Sequence, residues 1–435
     1  MSWKKVKMGE FLINRESRFK PKDKAIAGLK RIDKIDFSGT IYLSDKPSNT
    51  DMIIVKRGDL VISGINVEKG AMSVYQDKED ITATIHYSSY CFDETKIDIE
   101  FLKMFLKSPE FKIALKEQVP GGIKTEIKPK HLLPLEVSIP TLVSEQKEIV
   151  KQFRGIETVS SSVDTEIITQ QDLVNQLRQS FLREAMQGKL VKQDPKDGHA
   201  KDLLEKIKAE KAKSGRREKE LPHIKPEEIP FEIPENWVWC RLGEIISFGP
   251  SNGYSPKESK KGTGIKCLTL TATTSGKFKG EHYKLVDEQI ESDSYLWLSK
   301  GDILLQRGNA LEYVGIAALY EGESNEFIYP DLMIKVRVFE KLTYDRFIHK
   351  VLISPFNRTY FSDNAFGAQK SMPKINQGVV LNTMIPLPPL NEQYRIVDKI
   401  INIMTLCDDL QQSIQLSREQ NELLLQQVLK ETLNL

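Results

Sequence analysis

Lysine and arginine gather in four loops of this 435-residue chain, beside small polar and aromatic residues. The first loop, Arg15 to Lys34, holds Arg15, Arg18, Lys20, Lys22, Lys24, Lys30, Arg31 and Lys34, with Phe19 interleaved. The second, Ser251 to Lys284, carries Asn252, Tyr254, Lys257, Lys260, Lys261, Lys277, Lys279 and Lys284, punctuated by Gly and Thr. Two shorter loops follow glycines. One runs Gly121-Gly122-Ile123-Lys124-Thr125 through Lys128 to Lys130, the other Gly367-Ala368-Gln369-Lys370-Ser371 to Lys374. Arg57 in a Gly-Asp turn, and Arg307 and Asn309 beyond a strand, extend the set. Cations neutralise phosphates without reading sequence, whereas Asn, Gln, Ser, Thr and Arg reach base edges. One such loop is an ordinary solvated surface; four in matched positions point to duplex DNA.

Catalytic groupings are missing. There is no G-x-x-x-x-G-K-[ST], no G-x-G-x-x-G opening a helix after a strand, no His-Glu-x-x-His and no Gly-x-Ser-x-Gly. The Asn/Asp-Pro-Pro-aromatic motif of amino-methyltransferases is absent; Pro388-Pro389 stands instead before a helical run. Cys91, Cys240, Cys267 and Cys407 lack metal or redox spacing, which suits a reducing cytoplasm. No apolar run approaches the roughly 20 residues that span a bilayer. A net charge of +2 neither demands nor excludes nucleic acid. The chain is expected to bind rather than react, with no cofactor or metal of its own.

The loops sit at matching places because the landmarks around them recur. Trp3, Gly9 and Glu10 return as Trp237, Gly243 and Glu244. Lys56-Arg57-Gly58-Asp59 answers Ser299-Lys300-Gly301-Asp302, each a turn feeding an apolar strand. Ser108-Pro109 matches Ser354-Pro355 after an apolar helical run. Ile139-Pro140 with Ser144-Glu145-Gln146 matches Ile385-Pro386 with Asn391-Glu392-Gln393, where Ser144 and Asn391 are expected to cap a helix. The offset runs only from 234 (Trp3 to Trp237) to 247 (Gln146 to Gln393). This is the pattern of a tandem repeat.

Each copy ends in a long helix. Ser144 to Gln187 places Ile149, Phe153, Ile156, Val163, Ile167, Val174, Leu177 and Phe181 at alternating steps of four and three, and stops at Gly188. The C-terminal run repeats the steps with Ile396, Ile400, Ile403, Cys407, Leu410, Ile414, Leu424 and Val428. Ser160 and Gln170 interrupt the first seam; Ser417 and Asn421 interrupt the second. At about 66 Å the first helix is too long for one compact core, and the two seams are expected to pair with each other. Between the halves, hydrophilic Lys189 to Glu235 reads as a surface linker with a short solvated helix from Asp202 to Lys213.

These residues resemble the specificity subunit of type I restriction-modification systems along the whole chain. The most specific marks are I-P-L-P-P-L-N-E-Q at Ile385–Gln393, E-I-P-F-E-I-P-E-N-W at Glu228–Trp237, and Leu177-Arg178-Gln179-Ser180-Phe181-Leu182 continuing to Leu190. The first copy departs by lacking the double proline, at Pro140-Thr141-Leu142-Val143-Ser144. The resemblance implies an α+β fold with target-recognition domains over 1–143 and 236–390, spacer helices over 144–190 and 391–435, and a charged linker over 191–235. Each domain would read half of a split DNA sequence, and the helices would pair antiparallel and dock two methyltransferase subunits. Those subunits would bind S-adenosylmethionine, and a motor-nuclease subunit using ATP and Mg would join through them. Two alternatives stay open: a coiled-coil scaffold that never touches DNA, and a fused endonuclease or methyltransferase with degenerate motifs.

Overall fold

The computed structural model describes residues 2–118, 126–213, 221–308, 310–366 and 373–433. The chain divides into two units, Met1–Gln170 with Ile414–Leu435, and Gln171–Ser413. Both are mixed α+β.

In the first unit, Gly58 takes a φ of +86°, which favours a residue without Cβ, and Asp59 accepts the Lys56 N–H at 3.0 Å. That turn starts a strand buried along its whole length. The strands are β1 (Trp3–Lys7), β2 (Leu12–Asn14), β3 (Arg31–Ile35), β4 (Ile41–Ser44), β5 (Met52–Val55), β6 (Leu60–Ser63), β7 (Met72–Val74), β8 (Ile81–Thr84) and β9 (Tyr87–Phe92). Helices α1 (Ile99–Lys107), α2 (Pro109–Gln118) and α3 (Pro129–Leu132), then strand β10 (Glu136–Pro140), lead into α4 (Val143–Met186). One sheet runs β2-β9-β6-β7, another β4-β3-β8-β5, and β1 pairs with β10. Met8, Phe11, Leu60, Ile62, Tyr90, Phe101 and Phe105 form the main core, with Ile149 and Phe153 of α4 packed into it.

After the C-terminal part of α4, the second unit contains α5 (Ala200–Lys213), β11 (Val238–Arg241), α6 (Leu242–Ile245), β12 (Ile246–Asn252), β13 (Ile265–Leu268) and β14 (Tyr283–Val286). It continues through β15 (Ile303–Gln306), β16 (Ala317–Leu319), β17 (Phe327–Ile328) and β18 (Met333–Val338). Helices α7 (Asp345–Leu352), α8 (Pro355–Asp363) and α9 (Gln377–Leu381), strand β19 (Met384–Leu387), and α10 (Leu390–Thr432) complete it. The sheet orders are β12-β18-β15-β16 and β14-β13-β17, with β11 on β19. Strand for strand, the larger sheet has the order found in the first unit.

The recurring residues have matching contacts. Lys7 N–H donates to Glu10 Oε1 at 3.0 Å, and Arg241 N–H to Glu244 Oε2 at 2.7 Å. A Cβ on Gly9 would stand 3.2 Å from Leu133 O, and one on Gly243 3.2 Å from Leu381 O, so both glycines permit close approach to the end of a short helix. Fully buried Gln146 accepts from Asp98 N at 2.7 Å and donates to Lys96 O and Pro140 O. Gln393, equally buried, accepts from Tyr344 N at 2.8 Å and donates to Pro388 O. Each glutamine clamps its long helix to the globular part. Ser144 and Asn391 are not the caps expected of them, because α4 and α10 begin one residue earlier. Gly188 does end α4: at φ +68° it lets Lys189 N–H reach Glu184 O at 2.9 Å, closing a Schellman turn.

The helix seams follow the expectation near the start of each helix and depart from it at five apolar positions further along. Phe153, Ser160, Ile167 and Val174 are buried at seven-residue intervals, as are Ile400, Cys407 and Ile414, and Ile149, Ile396 and Ile403 are buried as well. Phe181 and Val428 are half-buried. Ile156, Val163, Leu177, Leu410 and Leu424 are instead exposed, Leu424 by 60%. The inward positions lie one residue later, at half-buried Asp164, Gln171 and Arg178. Steps of three and four average alike, so apolarity alone does not choose between them; polar partners do. In the first unit Asn421 Nδ2 donates to Ser160 O at 3.1 Å and Asp164 Oδ1 at 2.9 Å. In the second, Arg178 Nη2 donates to Asp408 and Gln411.

The linker is also more than a solvated connection. On α5, Leu203, Leu204 and Ile207 are buried in the second unit's core, with Leu190, Val191, Phe231 and Ile233 packed against it. Phe231 stacks edge-on with Trp239 and Phe356, Asp197 pairs with Arg395 at 2.6 Å, and Glu228 pairs with Arg241 at 3.0 Å. The charged sequence contains a strap whose spaced apolar residues pack into that core.

Candidate nucleic-acid interface

In each unit the sheet that holds the Gly-Asp strand, β6 or β15, is closed at one end by the loop before a short helix. In the first unit Ile127 N–H donates to Gly64 O at 2.8 Å, and Gly64 N–H to His86 O at 2.9 Å. In the second, Ile375 N–H donates to Arg307 O at 2.8 Å, and Arg307 N–H to Leu332 O at 2.7 Å. The same ladder of backbone bonds thus fixes the same loop onto the ends of corresponding strands.

Beside this closure the first unit has a groove of about 460 Å³, lined by Asn14, Ser17, Arg18, Ser88 and Lys128 among others. The structure therefore brings Arg18 and Lys128 together. Both have acidic neighbours: Arg18 Nε lies 2.7 Å from Asp51, and Lys128 Nζ 3.6 Å from Glu126. The Arg18 hydrogen bond holds the Asp51 carboxyl below its usual range. Lys20 reaches the same carboxylate at 3.5 Å but is 83% exposed. Lys22, Arg57 and Lys130 are exposed, and they do not line the groove. Arg15 of the same basic loop is already committed, with Nε 2.6 Å from buried Asp59. Lys124 and Thr125 lie outside the described residues, as do Asn309, Gln369, Lys370 and Ser371.

In the second unit the structure separates residues that the sequence placed in one loop. Asn252 ends β12, opposite Ile334. Gln377 Nε2 donates to its Oδ1 at 3.5 Å, and Lys374 bridges to Gly308, next to Arg307. Arg307 Nη1 also approaches Asp331 O at 3.5 Å. Exposed Lys257, Lys260 and Lys261 belong elsewhere: Ser259 ties their loop to β14 through Leu285 O at 2.7 Å and to Asp287 at 2.8 Å. Tyr254 sits between, with its hydroxyl 3.5 Å from Glu288. Gln377 carries no sequence signal of its own: it lies beyond Lys374, the last lysine of its loop.

At the other end of each closed strand, β6 and β15, lies a buried carboxylate on the Gly-Asp turn, Asp59 and Asp302. Burial alone would raise the Asp59 pKa, but Arg15, the Lys56 N–H and Ser89 Oγ at 2.7 Å hold it below the ordinary value. Asp302 accepts from Arg337 Nε at 2.6 Å and has Lys335 Nζ at 3.7 Å. That ammonium donates to Tyr295 O and Trp297 O and lies over the rings of Phe248 and Tyr329. Burial pushes the Lys335 pKa down to about 8. The sequence signalled the turns, not their ion pairs. Among the described residues there is no group of His, Cys, Asp and Glu able to hold a metal, and no helix is long and apolar enough to cross a membrane.

Residues 234–417 match the family model for the type I restriction modification DNA specificity domain. The Escherichia coli EcoAI specificity subunit is 31% identical over 301 residues, which is 66% of this chain and 49% of the relative. Over these stretches the chain is similar to type I restriction-modification specificity subunits. The Escherichia coli EcoEI specificity subunit is 29% identical over 303 residues, 67% of this chain and 50% of the relative. The matches thus span about half the length of these two family members. A chain from a structural study of complex assembly and conformational transition in the type I R-M system has a similar fold. Its TM-score is 0.63 at 17% identity, covering 99% of this chain and 97% of that one.

Proposed function

We propose that this chain is a type I restriction-modification specificity subunit: a non-catalytic, sequence-specific DNA-binding protein, with each unit reading one half of a bipartite duplex target. The observation that carries the reading is the recurrence of one closing loop on corresponding strand ends in both units, with cations and side-chain amides beside it. Arg18, Lys128, Arg307 and Lys374 are suited to phosphates, while Asn252 and its neighbours can reach base edges. Equal strand orders and equally placed Gln146 and Gln393 support a tandem duplication.

The two long helices pair antiparallel in this reading, since Asn421 meets Asp164 while Arg178 meets Asp408. Exposed Ile156, Val163, Leu177, Leu410 and Leu424 then become apolar surface for two docked methyltransferase subunits. S-adenosylmethionine belongs to those subunits, and ATP and Mg to a motor-nuclease subunit that joins through them.

The test combines the full chain with its methyltransferase partner and sequences the methylated DNA. Exchanging residues 236–390 for those of a related subunit is expected to change one half-site and leave the other. Duplex binding should weaken steeply with salt, by about one unit of log–log slope per phosphate contact. Absence of duplex binding at any salt would favour the scaffold reading, and methyl transfer by the isolated chain would favour an enzyme.

A further inference from the structure

The first residue of the short helix behind the closing loop differs between the units: Pro129 in α3, Gln377 in α9. Only the second unit therefore has a side-chain amide there, and it meets the amide of Asn252 at 3.5 Å. Both are held on fixed backbone. Asn252 lies in the β12–β18 ladder, and the Ser251 and Tyr329 hydroxyls meet at 2.7 Å beside it. A Cβ on Gly253 would stand 2.0 Å from Tyr329 O, so the chain after Asn252 is pressed against its neighbour. Gln377 follows Asn376, whose Oδ1 accepts from Val379 N at 2.9 Å.

Among the described residues, the other two amide atoms, Asn252 Nδ2 and Gln377 Oε1, have no protein partner. The mutual bond uses one donor and one acceptor and leaves one of each free. Exchanging N and O in both amides reverses the bond and still leaves one donor and one acceptor. Gln377 is exposed and Asn252 half-buried, so both remain accessible.

We propose that Asn252 and Gln377 together read one adenine in the half-site of the second unit; this rests on the DNA-binding reading above. Adenine alone offers neighbouring donor and acceptor atoms, N6 and N7, on its major-groove edge. Guanine offers two acceptors there, so the free amide oxygen would face O6. Thymine offers only an acceptor and a methyl group, and cytosine only a donor. Arg307 and Lys374, joined to the same closure, supply the phosphate contacts that set the register.

The experiment selects the preferred target of the full chain from randomised duplexes, then repeats the selection with Asn252→Ala, Gln377→Ala and Asn252→Asp. The wild-type selection is expected to contain an adenine that both alanine variants cease to prefer, by roughly five- to hundredfold, with other positions unchanged. Asn252→Asp keeps the shape and should also lose the preference. Replacing that adenine by 7-deazaadenine should weaken binding to the wild type and leave the Asn252→Ala/Gln377→Ala double variant unaffected. Unchanged base preference at every position, or a loss spread evenly over all sequences, would overturn the inference while leaving DNA binding intact. A wild type with no sequence preference at all would overturn the underlying reading as well.

Discussion

The first unit closes its buried carboxylate with one cation from the end of β2, Arg15; the second uses two from within β18, Lys335 and Arg337. The turn, its glycine and the following buried strand are the same in both. Ser89 and Cys91, which lie near Asp59 on β9, correspond in the sheet to Lys335 and Arg337 on β18. An acid at this turn is thus needed by the fold, while its countercharge is free to change strands. The choice affects the candidate interface. The first unit ties up an arginine of its basic loop on Asp59, whereas the second supplies the charge from a central strand and leaves its basic loop uncommitted to this acid.

The largest expected effect breaks this symmetry at the acid. Asp302→Ala strands Lys335, whose side chain is only 2% exposed, and is expected to cost about 3–5 kcal/mol. Asp59→Ala should cost less, about 2 kcal/mol, because the Arg15 side chain is 27% exposed and can recover water. Hydrogen exchange along β6 and β15 measures the two losses within one chain. Equal losses would mean that the exposure of the cation does not matter.

The helix clamps give the next effect. Gln146→Ala orphans one donor and two acceptors, Gln393→Ala one donor and one acceptor. About 3 and 2 kcal/mol are expected, read as lowered unfolding midpoints in urea. A larger loss for Gln393→Ala would invert the ranking and point to contributions beyond these bonds.

The smallest effect is on the acid limb. Asp59 titrates lower folded than unfolded, so its stabilisation is complete above the unfolded value of about 3.9 and fades as pH falls through the folded one. Asp59→Asn should flatten the loss of first-unit protection on acidification without changing its shape near neutral pH. An acid limb as steep as that of the wild type would assign the acid sensitivity to other groups.

Repetition was what the sequence could express. Glycine, tryptophan and glutamate at similar spacing mark turns, aromatics and caps, which are local or depend on residue size, and the apolar runs after them placed both long helices. Pairing across distance was not expressed. Nothing in Arg15 distinguishes it from Arg18 until Asp59 lies beside one and Asp51 beside the other. The helix seams were ambiguous by one residue because three- and four-residue steps are equally apolar, and only Asn421 and Arg178 meeting their partners selected the inward face. Leu203, Leu204 and Ile207 looked like part of a solvated helix because their neighbours are charged; burial followed from the strap around them. The chain thus determined its own turns, strands and helices, which depend on neighbours a few residues away. The tertiary structure decided which charges are spent in the interior and which amides remain free, because charge pairing and desolvation depend on residues distant in sequence.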